Sequence, residues 1–195
     1  MDAAAPSEVY LHIRVIIGIV LALSIARLLN GLARLVQHPR HGRVYLVHLG
    51  WVATLLLDVL HFWWWEFRLA FVQTWTFGIY FFVIFYASLF FFLCALLFPE
   101  DLEDYADFED YFISRRKWFF GILAVTFVAD LFDTLLKGVA YFESLGPEYP
   151  VRAAVYVALC LVAMAVTDRR FHAWFVAVSL VYQVTWILRL YRILL

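Results

Sequence analysis

The chain alternates long apolar runs with short polar breaks, and six of the runs approach the roughly 20 residues that carry a helix across a hydrocarbon layer. The first helix is expected from about Tyr10 to Val36, closed by Pro39 and Gly42, which break helical geometry. A second is expected from Val44 to about Trp65, and a third from Phe77 to Phe98, ending at Pro99. Between them, the stretch around Phe71–Thr74 suits either a surface loop or an early helical turn. The fourth runs from Trp118 to about Leu136, the fifth from Val151 to Thr167 and the sixth from Ala173 to about Leu190.

One long polar stretch, residues 100–117, interrupts this pattern. Leu102, Tyr105, Phe108 and Phe112 recur there at helical spacing with acids between them. The spacing predicts an acidic amphipathic helix that lies at the interface or leads into the fourth span. Arg40, Arg43, Arg169 and Arg170 in neighbouring connections are candidate partners for its acids, which equally suit a cation or a basic partner.

Composition turns the pattern into a class. Hydrophobic residues make up 66% of the 195 residues and aromatic residues 20%, well above the half-apolar average of water-soluble domains. The excess needs lipid as its solvent. The expected fold is an all-α polytopic membrane helix bundle, one transmembrane domain over 1–195, placed in the cell membrane in multi-pass form. The N-terminal MDAAAPSEVY lacks the Lys or Arg of a secretory signal, so the first helix is expected to be retained.

Charge sets orientation more than partners. A net charge of −1 gives no reason to expect a nucleic acid. Connections after spans one, three and five hold Arg40, Arg43, Arg115, Arg116, Lys117, Arg169 and Arg170. Those after spans two and four hold Arg68, Lys137 and, at the edge of span five, Arg152. The basic excess places the first set in the cytoplasm and both termini outside. Spans one to three and four to six then run oppositely, the plan of an inverted repeat.

Ionisable residues within the spans carry the candidate chemistry. Span two brings Thr54, Asp58, His61 and Trp65 to roughly one face, with Glu66 just beyond, and span four carries Asp130 and Asp133, with Lys137 one turn after Asp133. Arg189 lies near the end of span six beside Ser179, Tyr182, Gln183 and Trp186, and Arg27 lies near mid-span in span one. Counting about 1.5 Å per residue puts Asp58, Asp130, Asp133 and Arg189 at the middle or outer half of the layer. A convergent set is the economical way to hold such charges, with Arg27 able to reach Asp130 if spans one and four are neighbours.

The leading expectation is a small transporter or channel moving a proton, another cation or a compact polar solute, with no cofactor required. Asp58, Asp130 and Asp133 are its cation or proton sites, Arg27 and Arg189 their counter-charges, and His61 a proton relay. One alternative is a haem- or metal-dependent membrane enzyme using His12, His48, His61 and His172 with Asp58 and Asp130. The other is a non-catalytic sensor or assembly subunit in which Arg–Asp pairs only fix helix order.

Three further features have plain explanations beside functional ones. The aromatic third span suits lipid contact or an aromatic wall beside a path. Trp63, Trp64 and Trp65 suit an interfacial belt. Cys94 and Cys160 suit small interior positions. The stripe Gly18, Ala22, Ala26, Asn30 and Arg34 on span one is a candidate helix contact, within the chain or between copies in a homo-oligomer.

Overall fold

A computed structural model describes residues 8–37, 45–99 and 104–191. Seven α-helices form: α1 (Glu8–Gln37), α2 (Leu46–Trp65), α3 (Phe77–Leu97), α4 (Phe108–Leu136), α5 (Val139–Ser144), α6 (Glu148–Ala165) and α7 (Arg169–Leu190). All but the six-residue α5 are long and apolar enough to cross a membrane, α2 together with the 3-10 turn Glu66–Phe71 that extends it. Less than half of each span's apolar window is buried in the bundle. The rest, including Val15, Ile19 and Leu23 on α1 and Phe81, Phe85 and Phe92 on α3, is exposed apolar surface suited only to lipid. The protein is a multi-pass membrane helix bundle.

Local signals place the helix starts. Thr76 caps α3 by accepting from Ile79 N (3.2 Å), and Asp168 caps α7 by accepting from Phe171 N (3.0 Å). Asp107 accepts from both Glu109 N and Asp110 N at 3.0 Å, so the helix begins at Phe108 and continues unbroken into the fourth span. The amphipathic segment is therefore the first turns of α4, not a separate helix, within the part that is described. Phe108, Tyr111 and Phe112 are buried there, and Glu109 pairs with Arg169. Residues 100–103, among them Glu100, Asp101 and Glu103, the basic first connection with His38, Arg40, His41 and Arg43, and both termini lie outside the described residues.

Between α4 and α6 the chain reverses at two glycines. Gly138 (φ +126°) and Gly146 (φ +72°) adopt backbone conformations that other residues resist, and they bracket α5. After the second reversal α6 starts at Glu148, a turn earlier than the apolar run suggests. Arg152, at the edge of the expected span, thus lies a full turn inside a membrane helix.

Packing centres on α2, which meets α1, α3, α4 and α7. Its Trp51 sits edge-on among Phe119, Phe120 and Phe175 at 5.2–5.5 Å. Further pairs run α1 along α3, α3 along α4 and α4 along α6, whereas α6 and α7 touch only sparingly. The two halves do not repeat each other: α1 packs chiefly on the third span of its half, α4 chiefly on the second span of its own.

Close approach uses two glycines off the small-residue stripe. A Cβ on Gly31 would collide with the Phe98 ring, and one on Gly50 would lie 2.8 Å from Val176 Cγ2. Of the stripe itself, Ala22, Ala26, Asn30 and Arg34 are exposed, while Gly18 faces Trp63. Without a water-driven hydrophobic effect inside lipid, such close contacts and polar bonds are what hold the helices together.

Candidate functional site

The space left where α6 and α7 diverge is a cavity of about 60 Å³, walled by α2, α3, α4, α6 and α7. Asp58, His61, Asp130, Arg152 and Gln183 supply its charged and polar lining, and Tyr86, Phe90, Trp65 and Trp186 its aromatic walls. At roughly 10–15 Å³ of accessible space per water, it has room for a handful of waters.

Asp130 is fully engaged. Its Oδ2 accepts from Arg152 NH2 (3.0 Å) and its Oδ1 from the Tyr86 hydroxyl (3.2 Å). Its backbone carbonyl ends a chain of donors: Trp65 Nε1 donates to Thr134 Oγ1 (3.4 Å), Thr134 bonds the Tyr149 hydroxyl (2.6 Å), and Tyr149 donates to Asp130 O (3.0 Å). Asp58 is different. Its carboxylate lines the same cavity and feels the charges of Arg152 and Asp130, yet it makes no hydrogen bond or ion pair among the described residues. Two carboxylates and one guanidinium leave one formal negative charge here. His61 adds a ring whose Nδ1 lies 3.3 Å from Gln183 Nε2 and whose buried Nε2 has no partner.

A second cluster lies beyond Trp65. Lys137 Nζ donates to Glu66 Oε1 (2.9 Å) and to Asp133 Oδ2, with the Lys137, Glu66 and Asp133 side chains 0%, 4% and 0% exposed. Three elements are joined by it: the turn after α2, α4 and the connection after α4. Lys137 also stands 5.6 Å from the Trp65 ring centroid. Outside this triad, toward solvent, opens a wider hollow lined by Trp64, Phe67, Arg68, Tyr141 and Tyr191 among others. Arg68 rests 4.0 Å from the Tyr141 ring centroid, and burial pushes that phenol up to about 12 against the pull of Arg68 and Lys137, so the cation faces a neutral ring.

The site residues expected from the sequence separate accordingly. Asp58, His61 and Asp130 share the cavity. Asp133 belongs to the dry triad one turn along α4. Arg27 does not reach Asp130, because α3 lies between α1 and α4; its NH2 donates to Phe98 O (3.1 Å) at the end of α3. With Arg34, which donates to Pro99 O (3.4 Å), it satisfies carbonyls where a helix terminus carries partial negative charge. Arg189 faces the rim and forms a forked pair with Glu148, NH1 to Oε2 (3.0 Å) and NH2 to Oε1 (2.6 Å).

No protein-family model, curated protein or solved structure matches the chain. The counter-charge of Asp130 is Arg152, which stands at the edge of the expected fifth span. Gly146-Pro147 followed by Glu148 was the available signal, since turn glycine, proline at a helix start and an early acid mark an N-terminus ahead of the apolar run.

His48 and His172 are committed to packing, while His12 is exposed on α1. His48 Nε2 bonds Leu97 O (2.6 Å) and its ring stacks on Phe108, while His172 Nε2 bonds Val166 O (3.0 Å) and its ring stacks on Phe120. Among the described residues, no three His, Cys, Asp or Glu side chains gather as a metal-ligand set.

Proposed function

We propose that the bundle is a small transporter or channel that moves a proton or small cation through the Asp58–Asp130 cavity. The observation that carries this reading is Asp58, which lines a polar cavity within a membrane-spanning helix with no hydrogen-bond or ion-pair partner among the described residues. A charged carboxylate in mid-membrane costs about 2.5–3.5 kcal/mol. Water, a proton or a cation offsets that cost; a purely structural acid is offset by a fixed base, as Asp130 is by Arg152.

Cavity size narrows the cargo. Room for a handful of waters suits a proton on a water chain or a monatomic cation with part of its hydration shell. It does not suit an amino acid or a sugar without rearrangement. His61, with an unbonded Nε2 on the same wall, is placed to pass a proton. Asp133 is assigned to fastening the bundle, and Arg27 and Arg189 to helix ends.

The test is flux of H⁺, Na⁺ and K⁺ in proteoliposomes. Asp58→Asn and Asp130→Asn are expected to lower it by roughly an order of magnitude or more, and Asp133→Asn to leave it near wild type in whatever folds. Unchanged flux in both Asp58→Asn and Asp130→Asn sinks the proposal. A haem enzyme would instead give a coloured preparation, and an assembly subunit would show altered association in these variants with no flux from wild type.

A further inference from the structure

Arg152 occupies the position of a resident cation. It touches Asp130 through one nitrogen, not in a fork, and its buried Nε has no hydrogen-bond partner. One turn back on the same helix stands Glu148, the four-residue neighbour with which arginines pair, and the charge of Arg152 acts on Glu148 too. Between the two acids the guanidinium lies on aromatic faces, 4.7 Å from the centroid of Trp186 and 5.3 Å from that of Tyr149. Aromatic faces attract a cation without fixing it in one direction. Arg152 is therefore held by one directional bond, with a second acid a turn away.

The second acid is the clasp between α6 and α7. Glu148 accepts from both terminal nitrogens of Arg189 and from the Tyr182 hydroxyl (2.8 Å). Arg189 in turn stands 5.6 Å from the same Trp186 ring. Asp130, Arg152, Trp186, Arg189 and Glu148 thus form one connected series from the cavity to the rim. Asp130 and Arg152 are 14% and 8% exposed at its inner end, and Glu148 and Arg189 are 46% and 52% exposed at its outer end. Elsewhere the backbones of α6 and α7 approach only sparingly and aromatic side chains bridge them, as Tyr156 does to Phe175 and Tyr182, so the clasp is one polar fastening between them.

We propose that Arg152 is a tethered counter-cation that holds Asp130 between turnovers, yields it to an arriving proton or small cation, and moves one helical turn to Glu148, loosening the Glu148–Arg189 clasp. This rests on the cation-site reading above and adds its release step. Cargo on Asp130, a bound proton or cation, cancels the negative charge that holds the guanidinium, and Glu148 receives it. When the guanidinium returns, it expels the cargo. Asp58, with no fixed partner, is the acid that receives the cation in passing.

The experiment compares Arg152→Gln, Arg152→Lys, Glu148→Gln and the neutral pair Asp130→Asn/Arg152→Gln with wild type. Flux of H⁺, Na⁺ and K⁺ is measured in liposomes, and tryptophan fluorescence in detergent is titrated with acid, NaCl and KCl. For Arg152→Gln, the half-saturating concentration is expected to fall about fivefold or more, the lower end of ordinary site coupling, and the maximal rate to fall with it. Arg152→Lys returns both toward wild type. Glu148→Gln lowers the maximal rate with half-saturation unchanged.

A purely structural ion pair would instead reduce folded protein without moving half-saturation. The neutral double variant keeps the test open if Arg152→Gln folds poorly: with Asp130 also neutral, the fold recovers, while the tighter binding does not appear. Equal half-saturation and equal fluorescence midpoints for wild type and Arg152→Gln overturn the tethered-cation proposal. Absent wild-type flux together with shifted fluorescence midpoints overturns the transport reading alone, since competition for Asp130 then persists without passage.

Discussion

Two charged clusters share α4, where Asp130 and Asp133 stand about one turn apart, and they solve the problem of burying carboxylates differently. The Glu66–Lys137–Asp133 triad is dry, and its ammonium joins both acids. The Asp58–Asp130–Arg152 cluster faces a cavity, and its guanidinium touches only one acid. Residue types and depth are similar, so neither decides which cluster fastens and which one works. What differs is whether each acid has a fixed base and whether water has room beside it. Trp65 is the partition: it lines the cavity, donates to Thr134 and faces Lys137.

The largest effect should come from removing the base of the dry cluster. Lys137→Met strands two buried carboxylates against each other, and loss of one partner of a buried ion pair costs about 3–5 kcal/mol. Thermal or denaturant unfolding of the purified protein should show that loss. Glu66→Gln/Asp133→Asn/Lys137→Met, which removes all three charges, should recover most of it. A single variant as stable as wild type would mean that the triad is wetter than its geometry implies, and the contrast between the clusters would collapse.

Next in size is the seam between the clusters. Tyr149→Phe deletes the hydroxyl that serves both Thr134 and the Asp130 carbonyl. Leaving buried partners unsatisfied costs about 1–3 kcal/mol, with flux affected less than stability. Asp58→Asn should sharpen the comparison from the other side. It neutralises an acid that has no base to lose, so unfolding should shift by less than about 1 kcal/mol while flux falls. A large destabilisation by Asp58→Asn would show that this acid fastens the bundle like its neighbours.

These contrasts also mark what the sequence could disclose. Six spans follow from apolar run length alone, because lipid demands about 20 apolar residues whatever the neighbours are. The Asp133–Lys137 contact follows from spacing on one helix. Helix adjacency does not follow. Arg27, Arg189 and Arg152 are all basic residues on apolar helices, and which of them meets Asp130 depends on α4 packing along α6 rather than α1. Depth counting ranks charges along the membrane normal but is blind to azimuth, and that is why Arg27 and Arg189 stood in for Arg152. Close approach likewise depends on the neighbour's shape: Gly18 of the small-residue stripe faces Trp63, and Gly31, off the stripe, faces Phe98.

The smallest stability effect belongs to the rim. Glu148 and Arg189 form a forked pair on paper as good as any in the protein, but their side chains are about half exposed. Exposed pairs contribute little to stability, and salt screens them. Arg189→Gln should therefore unfold close to wild type, and any difference should shrink as ionic strength rises. Flux should respond more than stability, because the clasp is a polar link between two helices whose backbones otherwise approach sparingly. A loss comparable to that of Lys137→Met would place the rim pair with the dry triad. The division between fastening inside and working parts at the cavity and its rim would then have to be redrawn around α7.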